Sequence, residues 1–257
     1  MNLGLAGKTA IVTGGSRGIG QGIARALIGE GVKVAICARG EEALRQAAEE
    51  IGALSIPADT GRADHARRLV KTATEAFGQV DILVNAAADS HSAELDRLTD
   101  EDWLGDFNVK FLGYVRTARE VLPGMRERGW GRIVNIAGVA ARTADLGYTS
   151  GAINIALVNL TKKLALDAAP FGITVNAIHP GAVRTQRREA ALARAMERQG
   201  LSRKDAERAA VERIPIGRLI EVGDIADAVL FLASERASAI TGQVLTIDGG
   251  ADRGVHI

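Results

Sequence analysis

The chain has 257 residues, 32 Lys and Arg against 31 Asp and Glu for a formal net charge of +1, and is 47% hydrophobic and 25% charged, an ordinary globular composition with apolar material for one large core. That charge balance gives no case for nucleic acid or a membrane surface as partner, and the single cysteine, Cys37, excludes an intramolecular disulfide and suits a reducing cytoplasm. No window approaches the about 18 apolar residues of a membrane span and residues 1–20 lack a signal pattern, so one soluble cytoplasmic domain over 1–257 is expected.

Short β-branched runs alternate with segments of helical period along the whole chain. Thr9–Thr13 predicts a first strand, followed by Gly14-Gly15-Ser16-Arg17-Gly18-Ile19-Gly20 and a helix opening near Gln21. Lys33–Cys37 is the second strand, Glu41–Ile51 an amphipathic helix, 54–57 the third strand and Ala63–Phe77 the next helix. Ile82–Asn85 is a fourth strand, 99–121 a long helix, and 132–136, 174–178 and Val244–Ile247 complete the strands. Such alternation predicts an α/β fold, a doubly wound parallel sheet of about seven strands with helices on both faces, because parallel strands need crossovers. Residues 183–213 differ. Arg184, Arg187, Arg188, Arg194, Arg203, Lys204 and Arg208 interleave there with Glu189, Glu197, Asp205, Glu207 and Glu212. This reads as a solvated helix pair of mixed charge, and also as a helical lid leaving a strand's carboxyl end.

The glycine-rich turn between the first strand and its helix is the chemical signal. Glycines allow positive φ and close backbone approach, while the helix start offers free N–H groups to a pyrophosphate. A site for NAD would place a carboxylate at the end of the second strand for the ribose hydroxyls. Here that place is Cys37, followed by Ala38-Arg39, with Arg17 flanking it from the glycine turn. Two guanidinium groups and no carboxylate favour the extra phosphate of NADP (NADPH) over NAD, the alternative for each arginine being a solvated surface charge.

Thr13-Gly14-x-x-x-Gly18-x-Gly20, Asn85-Ala86-Ala87-Ala88, Asn176-Ala177-Ile178-His179-Pro180-Gly181 with Thr185, Pro215-Ile216-Gly217-Arg218 and Asp248-Gly249-Gly250 stand in order along the chain. This set resembles the short-chain dehydrogenase/reductase family over essentially the full length, and the resemblance implies a Rossmann-type fold. By that resemblance Gly14, Ser16, Arg17, Gly18, Ile19, Gly20, Arg39, Asp59, Thr60, Asn85, Ala86, Ala87, Pro180, Gly181, Val183 and Thr185 line the cofactor. Asp59 would hold the adenine amino group, and Asn85 and Thr185 would contact ribose and carboxamide. Asn108 matches the family's catalytic Asn. Relatives also imply a homo-oligomer, a tetramer, paired through the fourth and fifth helices and the carboxyl terminus. Ala165, Ala168 and Ala169 would either permit close helix packing there or face the sheet.

The family's Ser, Tyr and Lys are missing. Counting back from Leu160-Thr161-Lys162 places Ser150 at the Tyr position and Asn154 at the Lys position. From the other side, Ile133-Val134-Asn135-Ile136-Ala137-Gly138 places Gly138 at the Ser position. Tyr-x-x-x-Lys works because residues four apart share a helix face and the cation eases ionisation of the phenol. Losing a matched acid–base group typically costs roughly 10²–10⁴ in rate. Tyr148 is a surrogate acid or a wall residue; His179, His91 and Asp89 lie at strand carboxyl ends, with Asp145 and Arg142 nearby. Scattered histidines and one cysteine build no metal site. Tyr148 and Trp103 hint at an apolar pocket for a small-molecule substrate. Three readings stand: an NADP-dependent oxidoreductase of a carbonyl, alcohol or enone with a non-standard site; a hydratase, dehydratase or lyase on the same fold; or an inactive, NADP-binding regulator.

Overall fold

The computed structural model describes residues 2–89, 91, 93–143 and 147–254. Seven parallel strands form one sheet in the order β3-β2-β1-β4-β5-β6-β7. They are β1 (Thr9–Thr13), β2 (Lys33–Cys37), β3 (Leu54–Ser55), β4 (Ile82–Asn85), β5 (Gly131–Ile136), β6 (Ile173–Pro180) and β7 (Val244–Ile247). β1, β4, β5 and β6 are buried along their full length, as expected of parallel strands covered on both faces. α1 (Gly18–Gly29), α2 (Glu41–Ile51) and α9 (Val222–Ala233) cover one face through Ile23, Leu27, Leu44 and Val229. α3 (Ala63–Phe77), α5 (Gly113–Arg128) and α6 (Tyr148–Ala168) cover the other through Leu69, Leu122, Met125 and Ala165. From β1 the chain winds outward to β2 and β3, then returns to β4 and winds the other way. The crevice that serves ligands in such sheets therefore opens at the carboxyl ends of β1 and β4.

Several boundaries differ from the sequence expectation. β3 stops at Ser55 because Pro57 has no N–H for the ladder, although Ile56 and Ala58 still donate to Ile36 and Ala38 at 3.0 and 3.1 Å. β6 runs to Pro180, since His179 and Pro180 pair with Thr246 and Ile247 of β7. The long helix expected over 99–121 is α4 (Asp100–Asp106), a π-helical stretch Phe107–Leu112, then α5. Such π insertions rotate the residues that follow them on the helix surface. Ala165 and Ala168 face the sheet. Residues 183–213 form two helices, α7 (Gln186–Gln199) and α8 (Arg203–Val211), joined by Arg203 to Glu189 at 3.0 Å. Among the described residues no helix is long and apolar enough to cross a membrane.

Candidate active site

The glycine turn closes tightly on the switch point. Gly14 and Gly18 have φ of +67° and +58°, where side-chain-bearing residues are strained. A Cβ at Gly20 would lie 2.3 Å from the Gly14 carbonyl oxygen, and one at Gly14 would lie 2.8 Å from the Ala87 Cα. Thr13 fastens the two halves: its Oγ1 accepts from the Ala86 and Ala87 amides at 3.0 and 3.1 Å. Arg17 precedes α1 without capping it through its side chain, so the amides of the first turn are unclaimed by a side-chain cap. Across the groove, Thr185 caps α7 and its methyl would lie 3.7 Å from a Cβ at Gly18. Gly181 donates to Ile247 at 2.9 Å, and Val183 bridges to Ile220. Ser16 and Ile19 are half-buried in this turn, and Pro180 is buried at the end of β6. The cradle fits a dinucleotide: it is closed to side chains and lined with backbone.

Two residues expected at the cofactor have side chains engaged elsewhere. Asn85 is fully buried and its side chain is engaged, accepting from Thr117 Oγ1 at 2.7 Å and donating to Asn135 at 3.0 Å. Asn135 in turn donates to Thr161 at 3.0 Å. The Asn85 side chain therefore braces the strand ends and does not reach a ribose. Thr60 is buried against Gly113 of α5, so only its backbone can face the groove. Asp59 accepts from the Gly61 amide at 2.9 Å and borders a pocket with Arg39, Arg62, His65 and Arg68. Cys37 lies beneath the turn, buried, and desolvation pushes its thiol up to about 12. Arg39 stands on the rim and pairs with Asp89, from the loop after β4, at 2.8 Å.

At the catalytic end, Ser150 and Asn154 lie one turn apart on α6, Ser150 half-buried and Asn154 3% exposed. A Cβ at Gly138 would fall 2.8 Å from the Asn154 amide nitrogen, so a side chain at 138 would press on Asn154. The Asn154 side-chain oxygen is buried without a hydrogen-bond partner. Tyr148 begins α6 and is 49% exposed. His179, expected at a strand's carboxyl end, is 1% exposed within β6. The Asn108 side-chain amide donates to the Gly61 carbonyl at 2.9 Å. Asp145 lies outside the described residues.

Sequence reasoning missed Lys110. Two residues beyond Asn108 in the π-helical stretch, it is buried, and its Nζ donates to the Ala137 carbonyl at 2.9 Å. Ala137 directly precedes Gly138 at the carboxyl end of β5. One turn later Tyr114 donates to the Ile136 carbonyl at 3.0 Å; burial pushes its phenol well above the ordinary range. A lysine without a polar face around it on a helix that must pack inward was the available signal. His91 was also undervalued. Asp106, fully buried, accepts from its backbone amide at 2.8 Å and meets its Nδ1 at 2.9 Å. The Asp106 hydrogen bond first, then the charges of Asp106, Asp102 and Asp89, raise the imidazole above its ordinary value against a smaller desolvation effect. Thr149, at the start of α6, donates to the His91 carbonyl at 3.3 Å. Among the described residues no cluster of His, Cys, Asp or Glu is arranged to hold a metal.

A family model described as enoyl-(acyl carrier protein) reductase matches residues 14–252. The chain belongs to the short-chain dehydrogenase/reductase family. It is 36% identical over 251 residues to a putative ketoacyl reductase of Streptomyces coelicolor, covering 95% of this chain and 96% of that protein. It is 33% identical over 250 residues to the 3-oxoacyl-(acyl-carrier-protein) reductase of Vibrio harveyi, covering 96% and 98%. Among solved structures, L-sorbose reductase from Gluconobacter frateurii, complexed with NADPH and L-sorbose, superposes with a TM-score of 0.92 at 29% identity, covering 99% and 100%. A variant of actinorhodin polyketide ketoreductase with NADPH gives 0.90 at 35% identity, covering 96% and 98%.

Proposed function

We propose that this family member is an NADP(H)-dependent oxidoreductase of a small carbonyl, alcohol or enone substrate, working without the Ser-Tyr-Lys set. The observation that carries the reading is the intact cradle from Gly14 to Gly20, which tolerates no side chain at Gly14 or Gly20. The related ketoreductase and sorbose reductase structures contain NADPH, and Arg39 with no neighbouring carboxylate on β2 agrees with a phosphate-bearing ribose. The amides of Ser16 to Gly20 would hold the pyrophosphate, Arg39 and Arg17 the extra phosphate, Asp59 the adenine, and Thr185 with Pro180, Gly181 and Val183 the nicotinamide end. The cofactor, when bound, supplies hydride chemistry.

The chain's own contribution is orientation and charge. Ser150 can donate one hydrogen bond to a substrate oxygen, and its neighbour Tyr148 walls the cleft. The α7–α8 pair, at the carboxyl end of β6, serves as a lid that excludes water. Leu104, Phe107, Ile155 and Leu166 expose large apolar area on α4, α6 and the π-helical stretch, which supports assembly as a homotetramer through these helices. Calorimetric titration with NADPH and NADH in parallel, followed by NADPH absorbance with acetoacetyl-CoA as the carbonyl probe, tests the proposal. Preference for NADPH with steady oxidation is the expected outcome. Tight NADPH binding with no turnover across ketone and enone probes would instead favour a regulatory NADP-binding protein, and binding of neither nucleotide would point to non-redox chemistry.

A further inference from the structure

The loop that leaves β4 is tied to both sides of the crevice. On the cofactor side Asp89 pairs with Arg39, just past the end of β2, at 2.8 Å. Two residues on, His91 is held by α4 and α6. Its Nδ1 meets Asp106 at 2.9 Å, its Nε2 lies 3.4 Å from Asp102, and its carbonyl accepts from Thr149 at 3.3 Å. Among the described residues the charged groups acting on this imidazole are Asp106, Asp102 and Asp89, all of one sign, and the contact from α6, Thr149, is neutral. Asp106 is fixed, fully buried at the end of α4. The Asp89 side chain is 44% exposed and shares its charge with an arginine. A phosphate that took Arg39 would bring negative charge to this rim and leave Asp89 to act on His91 undivided.

We propose that the loop after β4 couples the cofactor's extra phosphate to a proton on His91: when the phosphate takes Arg39 from Asp89, the released carboxylate acts on the imidazole and His91 gains a proton. This rests on the NADP(H) reading above. One ion pair exchanges for another, and the proton comes from solvent. The linkage is reciprocal, so the form protonated at His91 binds NADPH more tightly. NADH, without that phosphate, leaves Arg39 with Asp89. The Arg39–Asp89 pair is exposed, so the coupling is worth about two- to fivefold in NADPH affinity and no more. A charged imidazole also strengthens its bonds to Asp106 and Asp102. Thr149 stands one residue before Ser150, so loading the phosphate-bearing cofactor fastens the loop to α4 on the substrate side of the crevice.

Titration calorimetry at about pH 7 in PIPES and in imidazole, buffers of small and large ionisation enthalpy, counts the protons taken up per nucleotide. The parent should take up about 0.1–0.3 proton more than His91→Gln on binding NADPH. Comparing the two proteins removes the phosphate's own titration, which lies near about pH 6. With NADH the two should agree. Asp89→Asn keeps His91 and should lose most of the extra uptake. Between about pH 8.5 and pH 6 the NADPH affinity of the parent, relative to His91→Gln, should rise about two- to fivefold. Circular dichroism at each pH establishes that the variants are folded, and the NADPH–NADH comparison on the parent needs no variant. Equal uptake by parent and folded His91→Gln on binding NADPH overturns the coupling and leaves the cofactor reading standing. The same extra uptake with NADH, or in Asp89→Asn, overturns the route from the phosphate through Asp89. Failure of NADPH to bind at all defeats the cofactor reading and the coupling together.

Discussion

Lys110 and Tyr114, one helical turn apart, donate to two successive carbonyls at the end of β5, Ala137 at 2.9 Å and Ile136 at 3.0 Å. The pair fixes the carboxyl end of β5, and the residue after Ala137 is Gly138, where a Cβ would lie 2.8 Å from the Asn154 amide nitrogen. That placement decides what a restoration experiment can achieve. Asn154→Lys alone would bring a second ammonium to the same end of β5, where like charges repel. We expect Asn154→Lys to lower the melting temperature and to leave activity impaired even with Ser150→Tyr. Adding Lys110→Asn should recover most of the lost stability, a coupling that a double-mutant cycle measures directly. Additive effects of the two substitutions would show that the residues do not share a site.

The fold was readable because each signal was local. β-branched runs bounded by glycines mark β1, β2 and β4, and the 3.6-residue period marks α2 and α3 over their observed ends. The cradle was readable because glycine spacing encodes backbone conformation directly. At Gly138, Ser150 and Asn154 the sequence shows a departure from the family's set and no local pattern that names a replacement. Lys110 belongs to a π-helical stretch, where the register of faces departs from 3.6 residues per turn, so its burial could not be read from helical period; Asn108 was singled out by family resemblance alone. The Asn85 side-chain network was illegible for a different reason. Its partners Thr117 and Asn135 are 32 and 50 residues away, and no local rule announces such a network.

The Arg39–Asp89 ion pair spans the rim between β2 and the loop after β4, with side chains 60% and 44% exposed. Exposed pairs contribute about 0.2–1 kcal/mol, so a ribose phosphate can take Arg39 from Asp89 at small expense. Asp89→Asn should raise NADPH affinity by about two- to fivefold and leave NADH affinity unchanged. Arg39→Ala should lower NADPH affinity by about tenfold, a charge-assisted hydrogen bond being worth roughly 1.5–3 kcal/mol. Calorimetry on both variants checks this, and equal effects on the two nucleotides would remove Arg39 from the phosphate site.

His91 gives the loop after β4 a dependence on pH. Asp106, then Asp102 and Asp89, raise its imidazole above the ordinary 6.5. A group whose folded-state value is raised stabilises the fold fully below its unfolded value, and that contribution disappears as pH climbs through the folded value. The melting temperature of the parent should therefore exceed that of His91→Gln most at about pH 5.5, with the gap narrowing towards about pH 8.5. Asp106→Asn should abolish the pH dependence of the gap. A gap that widens with rising pH would mean that His91 is held neutral.

Cys37 occupies the place at the end of β2 where a ribose-binding carboxylate would convert the preference to NAD, which makes Cys37→Asp the obvious redesign. The structure argues against it. Cys37 is 1% exposed and lies under the glycine turn, where the Gly15 amide bonds its carbonyl at 3.1 Å. The burial that pushes its thiol up to about 12 would act on a carboxylate in the same sense, and an unpaired buried charge costs several kcal/mol. Cys37→Asp should therefore melt well below the parent without gaining NADH affinity, and the parent thiol should resist iodoacetamide at neutral pH until the protein unfolds. Ala38→Asp, one residue nearer the rim and half-buried, should give the gain in NADH binding that Cys37→Asp does not. A folded Cys37→Asp that binds NADH tightly would place the second strand's functional position one residue earlier than the burial pattern does.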